Sequence, residues 1–505
     1  MFTRHDVNSS IARGSWRSFG MKVINPFLEF FLTNRSWKQT LFKNTLWLSL
    51  ADGVGKVLRV VTVVLMVRFL GPTEYGRFAF AFSFVTMFSM MYDFGLLWVA
   101  TREFSADQKT QQFLPELLMI KILLGIVTLI AIAVGSVWVT EELIIRIMVI
   151  VLGLYLLTLE LGSLAYAIFR ARQKMEYETV TKVTQGVLLF VGIGMVLWLN
   201  PSPLSVSYAH LGAGALFLAM IFGAFRHRGW QLAFRLRWDF LRQWFRLALP
   251  LGLAGILVAL YMNIDSVMLG YLQRFAEVGW YNAAVKTIQG FVLIPITYSA
   301  LASFPMFTAM SVNGDPAFRK SWDAWTGWMI IVGGYLTMTV IATADQVVIL
   351  VYGEAFEPTI SALKILSLVS MMMYLYMPYY HAMIIFKKYS QFFWCHFVGA
   401  FVNVLMNVIL IPRYGLYGAA WTSVVTHLVI LSVLFSFAAR HTQLKPVNEA
   451  FLTAILGSAT SGILAYIVMV VMKDNLWLSI PLGTIVFAGC IFGLKKIKEK
   501  VWIRG

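Results

Sequence analysis

The chain has 505 residues, 59% of them hydrophobic and 13% charged, with a formal net charge of +17. So few charges over so long a chain exclude an ordinary soluble globular fold, and apolar runs of about 20 residues recur as candidate membrane-spanning helices. The runs are too long, and alternate too little, for a β-barrel.

In chain order, residues 1–22 are polar and basic, carry no cleavable signal pattern and read as a disordered leader. Residues 26–42 are aromatic-rich and too short to span; they fit an interfacial helix or an extension of the first span. About fourteen spans then follow, over 44–70, 78–100, 117–139, 143–169, 179–199, 204–225, 246–271, 280–309, 322–343, 360–386, 390–411, 415–439, 448–472 and 476–494. The expected fold is an all-α polytopic membrane protein. Cys395 and Cys490 both fall within spans, so neither a structural disulfide nor a metal-ligand spacing is expected.

The excess of positive charge is distributed by side. Arg170, Arg172 and Lys174 follow the fourth span, Arg226, Arg228, Arg235, Arg237, Arg242 and Arg246 flank the loop after the sixth, and Lys387 and Lys388 follow the tenth. Lys495, Lys496, Lys498 and Lys500 close the chain. The alternate loops hold few basic residues (Arg77, Arg274, Arg413 and Lys473) beside Glu74, Glu141, Glu142, Glu354 and Glu357. This is a positive-inside pattern, which places both termini in the cytoplasm and makes the charge an orientation signal rather than a nucleic-acid footprint. Anionic membrane lipids are a natural partner for it.

Charges inside spans are the sharpest functional signal. Asp52, Lys56 and Arg59 are spaced four and three apart, so they share one face of the first span, and Lys56 falls near the bilayer midplane. A charge there costs several kcal/mol unless it meets a partner or a water-filled cavity. Lys56 and Arg59 therefore read either as cavity-lining cations or as one side of an ion pair with the second span, where Asp93 lies at the depth of Asp52. Glu160 of the fourth span lies at a similar depth. Asp52, Asp93 and Glu160 are thus expected to gather near Lys56, as ion-coupling carboxylates or as charge balance. Asp265 and Lys286 match in depth within a turn or so on consecutive spans; this pair reads as a gate or as a permanent tie, with Lys286 a further cavity cation. Asn403 and Asn407 share a face of the eleventh span, suited to interhelical hydrogen bonds or to sugar hydroxyls. Tyr261, Tyr298 and Tyr374 are candidates to stack on sugar rings, and His427 is a mid-span histidine. Arg68, Arg146 and Lys364 lie near helix ends and are expected to snorkel. Pro295, Pro305 and Pro378 are expected to kink their helices.

The chain also repeats internally. Residues 200–225 align loosely with 411–435, each half carries six spans, and a basic loop joins them. Six is even, so the repeats are parallel and a substrate should bind between them near the midplane. The expected organisation is 1–43 as an N-terminal segment, 44–226 and 246–440 as two six-helix lobes, 227–245 as the linking loop, and 441–505 as two extra helices with a basic tail.

FLGPTEYGRFAFA (69–81), MYDFGL (91–96), NIDSVMLGYL (263–272), VGWYNAAVK (278–286), LVYGEAFEPT (350–359) and IPRYGLYGAAWTSV (411–424) together resemble the oligosaccharide and O-antigen flippase family. Its superfamily also holds drug-exporting antiporters and the lipid II flippase. The resemblance implies transport of a polyprenyl-pyrophosphate-linked oligosaccharide from the cytoplasmic to the outer leaflet of a bacterial or archaeal inner membrane. Two lobes would alternate access around a cationic cavity, with no cofactor, and polysaccharide polymerase or assembly proteins are implied partners. Lys56, Arg59 and Lys286 are then the head-group candidates, Asp52, Asp93, Glu160 and Asp265 the coupling or gating candidates, and Asn403 and Asn407 the sugar-contact candidates. The alternative is a cation-coupled small-molecule or drug antiporter of the same superfamily. An enzyme is not expected, because the outer loops are short and hold no Asp/Glu-rich stretch or histidine cluster, and direct ATP use is not expected, because no Walker motif is present.

Overall fold

The computed structural model describes residues 33, 36–227, 237–472 and 475–502. The expected leader, most of the interfacial stretch and most of the linking loop lie outside the described residues. From Trp37 onward the interfacial stretch is the first turn of the first helix.

The described residues form fifteen α-helices and no strand: α1 (Trp37–Met87), α2 (Ser89–Asp93), α3 (Leu96–Ala106), α4 (Leu114–Val139), α5 (Leu143–Ala171), α6 (Met175–Leu199), α7 (Pro203–His227), α8 (Trp238–Tyr271), α9 (Phe275–Thr287), α10 (Ile294–Val312), α11 (Phe318–Tyr352), α12 (Thr359–Ile385), α13 (Tyr389–His441), α14 (Glu449–Val471) and α15 (Leu476–Trp502). Ten helices among them are long and apolar enough to cross a membrane, or eleven with α9 and α10 as one broken span. One of the ten, α13, holds two spans. A second double helix, α1, carries the first span and, continued by α2 and α3, the second, so the expected fourteen fit.

Both double helices fold back at glycine. At 51 and 53 residues they would be roughly 80 Å long if straight, more than twice the bilayer core. Gly71 takes φ 71° and is followed by Pro72, which has no amide hydrogen to continue the helix; Gly415 takes φ 51°, three residues after Pro412. The α8–α9 turn clamps the second fold: Glu277 accepts from the Leu416 amide at 2.6 Å and Arg274 donates to the Pro412 carbonyl at 3.2 Å. The α9–α10 span bends by 47° at a π-helical turn, Ile288–Val292, just before Pro295.

Helices α1 to α7 pack on one another, and so do α8 to α13, while α14 and α15 join through α11. The two halves meet chiefly where α1 lies along α8 and α9. One end of the bundle carries the turns at Gly71, Thr140–Glu142, Leu272–Arg274 and Gly415, and is called the glycine-turn end. The other carries Arg170, Arg172, Lys387 and Lys388, and is called the basic end. Toward the glycine-turn end a single core joins the halves, from Met66, Phe80 and Leu152 to Leu269, Tyr281 and Leu416. Toward the basic end it divides into one cluster around Phe104, Ile168 and Phe217 and another around Phe307, Trp322 and Leu434.

Candidate functional site

A cavity of about 400 Å³ lies between the halves where the core divides. Its walls are α1, α5, α6 and α7 on one side and α9, the π-helical turn and Tyr352 of α11 on the other. Lys56 and Arg59 line it from α1 and Lys286 from α9, so both halves contribute cations. Among the described residues, none of the three has a carboxylate within 4.0 Å. Instead, Lys56 sits over the Tyr298 ring at 4.7 Å, and Lys286 donates to Gln289 at 3.4 Å. Arg59 and Gln289 are exposed, whereas Tyr75, Asn282 and Tyr352 are buried. The cavity therefore opens away from the glycine-turn end, where the core is continuous.

That end is closed by backbone against backbone. A Cβ on Gly76 would overlap the Phe275 carbonyl, and one on Gly279 would overlap the Pro72 carbonyl. The contacts are reciprocal: each half offers a glycine to the other's turn. Arg68 adds a clasp. It does not snorkel but crosses from α1 to cap the last turn of α11, donating to the Val351 carbonyl at 2.8 Å and to the Leu350 carbonyl. Cationic groups near a helix C-terminus are favourably placed for its dipole. Of the other expected snorkelling residues, Arg146 donates to the Thr140 carbonyl at 2.9 Å and Lys364 pairs with Asp345 at 2.7 Å.

The acidic residues do not gather at Lys56. Asp93 and Glu160 hold Lys121 of α4, at 2.7 and 3.1 Å, with the Glu160 carbonyl and Ser163 hydroxyl completing a shell around its ammonium at 2.9 and 2.8 Å. Asp52 faces Lys182 at 4.0 Å, and Lys182 pairs more closely with Glu178 at 2.8 Å. Depth along a span places Asp93 and Glu160 level with Lys56, but Lys121, also within a span, competes for both and holds them. Near the basic end Arg170 binds Glu178 through two hydrogen bonds, and buried Lys43 pairs with Glu176 at 3.2 Å.

Asp265 and Lys286 are not partners. Asp265 accepts from Tyr281 at 2.5 Å, Ser423 at 2.9 Å, Asn407 at 2.5 Å and Asn403 at 3.3 Å. Asp265 and Tyr281 each lie six residues from their own helix end at the α8–α9 turn, so they meet. Lys286 is five residues beyond Tyr281, about 140° around the helix, which turns it to the cavity. Asn403 and Asn407 are likewise buried against Asp265 and are not among the residues that line the cavity. Of the tyrosines, only Tyr298 lies beside a cavity cation. Tyr374 donates to the Val292 carbonyl, and Tyr261 is buried beside His396. The aromatic wall of the cavity is instead Tyr75, Phe78, Phe82 and Tyr155, with His210 packed among them. No group of three or more possible metal ligands occurs among the described residues.

The family model described as "Polysaccharide biosynthesis protein" matches residues 41–311, more than half of the chain. The chain belongs to this family. The motif resemblance is thereby borne out. A protein of Escherichia coli (strain K12) described as "Putative O-antigen transporter" is 23% identical over 419 residues, covering 79% of this chain and 97% of that protein. The fold is that of a solved "Lipid II flippase MurJ, inward closed conformation" at a TM-score of 0.72 and 13% identity, covering 91% of this chain and 99% of that one. A solved structure described as a MOP superfamily transporter from Pyrococcus furiosus matches at a TM-score of 0.56 and 14% identity, covering 82% and 97% of the two chains. Family and fold together make this a multi-pass membrane protein of polysaccharide biosynthesis.

Proposed function

We propose that the protein is a flippase that carries a polyprenyl-pyrophosphate-linked oligosaccharide from the cytoplasmic to the outer leaflet by alternating access between two six-helix lobes. The observation that carries this reading is the cavity with three cations that have no carboxylate within 4.0 Å among the described residues. Charges held unpaired between two halves of a membrane bundle are costly unless an anion visits them. A pyrophosphate is such an anion, and cations in a low-dielectric cavity bind it far more strongly than in water. Family membership supports the lipid-linked glycan over a drug as the cargo.

The basic end faces the cytoplasm in this reading, by the positive-inside pattern. The structure is then an inward-open state, with the cavity facing the donor leaflet and the Gly76–Gly279 contact as the closed outer gate. Outward passage of an anionic head is assisted by an inside-negative potential, worth about 2.3 kcal/mol per charge per 100 mV.

The test is flipping in proteoliposomes. A labelled polyprenyl-pyrophosphate oligosaccharide is placed in one leaflet and its appearance in the other is followed, for the wild type and for Lys56→Ala/Arg59→Ala. The expected result is protein-dependent flipping that the double variant loses by about 100-fold, the equivalent of one or two charge-assisted hydrogen bonds. Equal flipping by the variant refutes the cationic site. Absence of flipping with any glycan, together with cation-driven efflux of small amphiphiles, moves the protein to the antiporter reading.

A further inference from the structure

The cavity changes character along its length. His210 of α7 and Asn282 of α9 each lie seven residues past the first residue of their helix, Pro203 and Phe275, and both helices start at the glycine-turn end. By helical rise the two sit level, about 10 Å inside that end. Lys286 lies eleven residues past Phe275, and Arg59 and Lys56 lie twelve and fifteen before Gly71. The cations are therefore about 16–22 Å from the same end. Tyr75 immediately precedes the gate residue Gly76. The inner part of the cavity, beneath the glycine contact, is thus polar but uncharged, and no acidic residue is among those that line the cavity.

Two hydrogen-bond acceptors are fixed in this inner chamber, one from each half. His210 Nδ1 lies 2.8 Å from the Val206 carbonyl. A carbonyl only accepts, so Nδ1 carries the hydrogen and Nε2 the lone pair. The ring is boxed by Phe78, Phe82 and Tyr155, with centroids 5.2, 5.9 and 5.1 Å away, which holds its orientation. Asn282 donates from Nδ2 to the Ser266 hydroxyl at 2.9 Å and to the Val278 carbonyl at 3.0 Å. The carbonyl again settles which atom is the nitrogen, and Oδ1 is left as the acceptor. Neither His210 Nε2 nor Asn282 Oδ1 has a hydrogen-bond partner among the described residues, although each side chain is only 5% exposed and lines the cavity.

Acceptors held in place without a donor are matched by a visitor that brings donors. The order of groups along the cavity says which part of a lipid-linked glycan that is. The lipid tail stays in the bilayer, at the open side, and the pyrophosphate stops at the cations. Only the sugar extends further, into the chamber under the gate. Sugar hydroxyls and acetamido N–H groups are donors, and the C–H faces of a sugar ring pack on apolar aromatic surface such as Tyr75 and Phe78. A sugar carboxylate is the wrong chemistry here. It is charged and accepts only, so inside this chamber it faces two fixed acceptors and aromatic walls, and burying an unpaired charge is costly.

We infer that this chamber is the specificity site for the sugar joined to the pyrophosphate. His210 Nε2 and Asn282 Oδ1 accept hydrogen bonds from that sugar, and the chamber admits an uncharged hexose or N-acetylhexosamine and rejects a uronic acid. The inference rests on the flippase reading above and adds to it the class of the first sugar and the two residues that read it. The placement also puts recognition next to the gate. Asn282 lies one turn beyond Gly279 in α9, and Tyr75 adjoins Gly76. A sugar held between His210 and Asn282 therefore bridges the two halves directly below their closed contact, where its presence bears on whether that contact opens.

Binding to the full-length protein in nanodiscs tests this with four probes: polyprenyl pyrophosphate alone, and the same lipid carrying one neutral hexose, one N-acetylhexosamine or one hexuronic acid. In the wild type at least one neutral sugar should tighten binding about 10-fold over the bare lipid pyrophosphate, and the uronic acid should not tighten it at all. His210→Phe keeps the aromatic packing and removes the acceptor, so the ratio of affinities for the glycosylated over the bare lipid should fall about 10-fold. His210→Gln returns an acceptor and should restore most of the ratio. An unchanged ratio in His210→Phe, or a uronic acid bound as tightly as the neutral sugars, overturns the inference. The wild-type comparison decides by itself if His210→Phe does not fold. Equal binding of all four probes, weakened alike in Lys56→Ala/Arg59→Ala, overturns the chamber and leaves the flippase standing; no binding of any probe by the wild type overturns the flippase reading itself.

Discussion

Replacing Arg68 by alanine should loosen the closed end of the molecule without touching the cavity. Arg68 joins the halves through two charge-assisted hydrogen bonds to the terminal carbonyls of α11. Such bonds contribute about 1.5–3 kcal/mol each when well shielded, and Arg68 is exposed, so about 1.5–3 kcal/mol is expected for the pair. At about 1.4 kcal/mol per factor of ten, the closed population should fall roughly 10- to 100-fold relative to the open one. Spin labels at Thr73 and Gln273, both exposed and flanking the glycine contact from opposite halves, report this directly. Pulsed electron–electron distance measurements on the Cys395→Ser/Cys490→Ser background should show a single short distance in the parent and a second, longer population in Arg68→Ala. Arg68→Lys keeps one donor group near the carbonyls and should fall between. Identical distance distributions in all three proteins would refute the clasp.

Gly279→Ala should open the same end more forcefully, because its Cβ meets the Pro72 backbone, which cannot rotate away; overpacking of this kind costs about 1–3 kcal/mol, and the same labels should register it. Lys121→Met leaves Asp93 and Glu160 beside each other with no counter-charge and should lower stability by about 3–5 kcal/mol, read as a fall in the midpoint of thermal unfolding in detergent. Adding Asp93→Asn and Glu160→Gln to Lys121→Met should recover most of that loss. Lys286→Ala should reduce flipping like either α1 cation, about 10-fold or more, while leaving the melting midpoint near that of the parent, since Lys286 forms no ion pair among the described residues.

The span count, the helical class and the cavity cations were legible because each follows from one physical rule applied locally: length against bilayer thickness, or charge against depth. Lys56, Arg59 and Lys286 all line one cavity, and a cation near the midplane of a span is costly unless it turns inward. The pairings were less legible. Depth along a span is readable from the chain, but the angle between neighbouring helices is not, so depth pairs Asp265 with Lys286 and Asp93 with Lys56, where the structure pairs Asp265 with Tyr281 and Asp93 with Lys121. Residue spacing already separates Tyr281 from Lys286 by more than a third of a turn, and counting from the shared turn would have selected Tyr281. Arg68 was unreadable for a different reason: its partners are backbone carbonyls some 280 residues away, and carbonyls leave no mark in a sequence. The gate was half visible, as Glu-Tyr-Gly at 74–76 and Glu-Val-Gly at 277–279, a repeat whose meaning lies in the contact between its two copies.

The shell around Lys121 bears on how the chain is made. Its ammonium sits in the third span, while its two carboxylates arrive with the second span and the fourth. During synthesis Asp93 and Lys121 emerge first, and Glu160 follows only 39 residues after the lysine. Lipid is a poor resting place for any of the three alone. Spans two, three and four thus have reason to leave the insertion machinery together, as one neutralised packet, rather than singly in the order of translation.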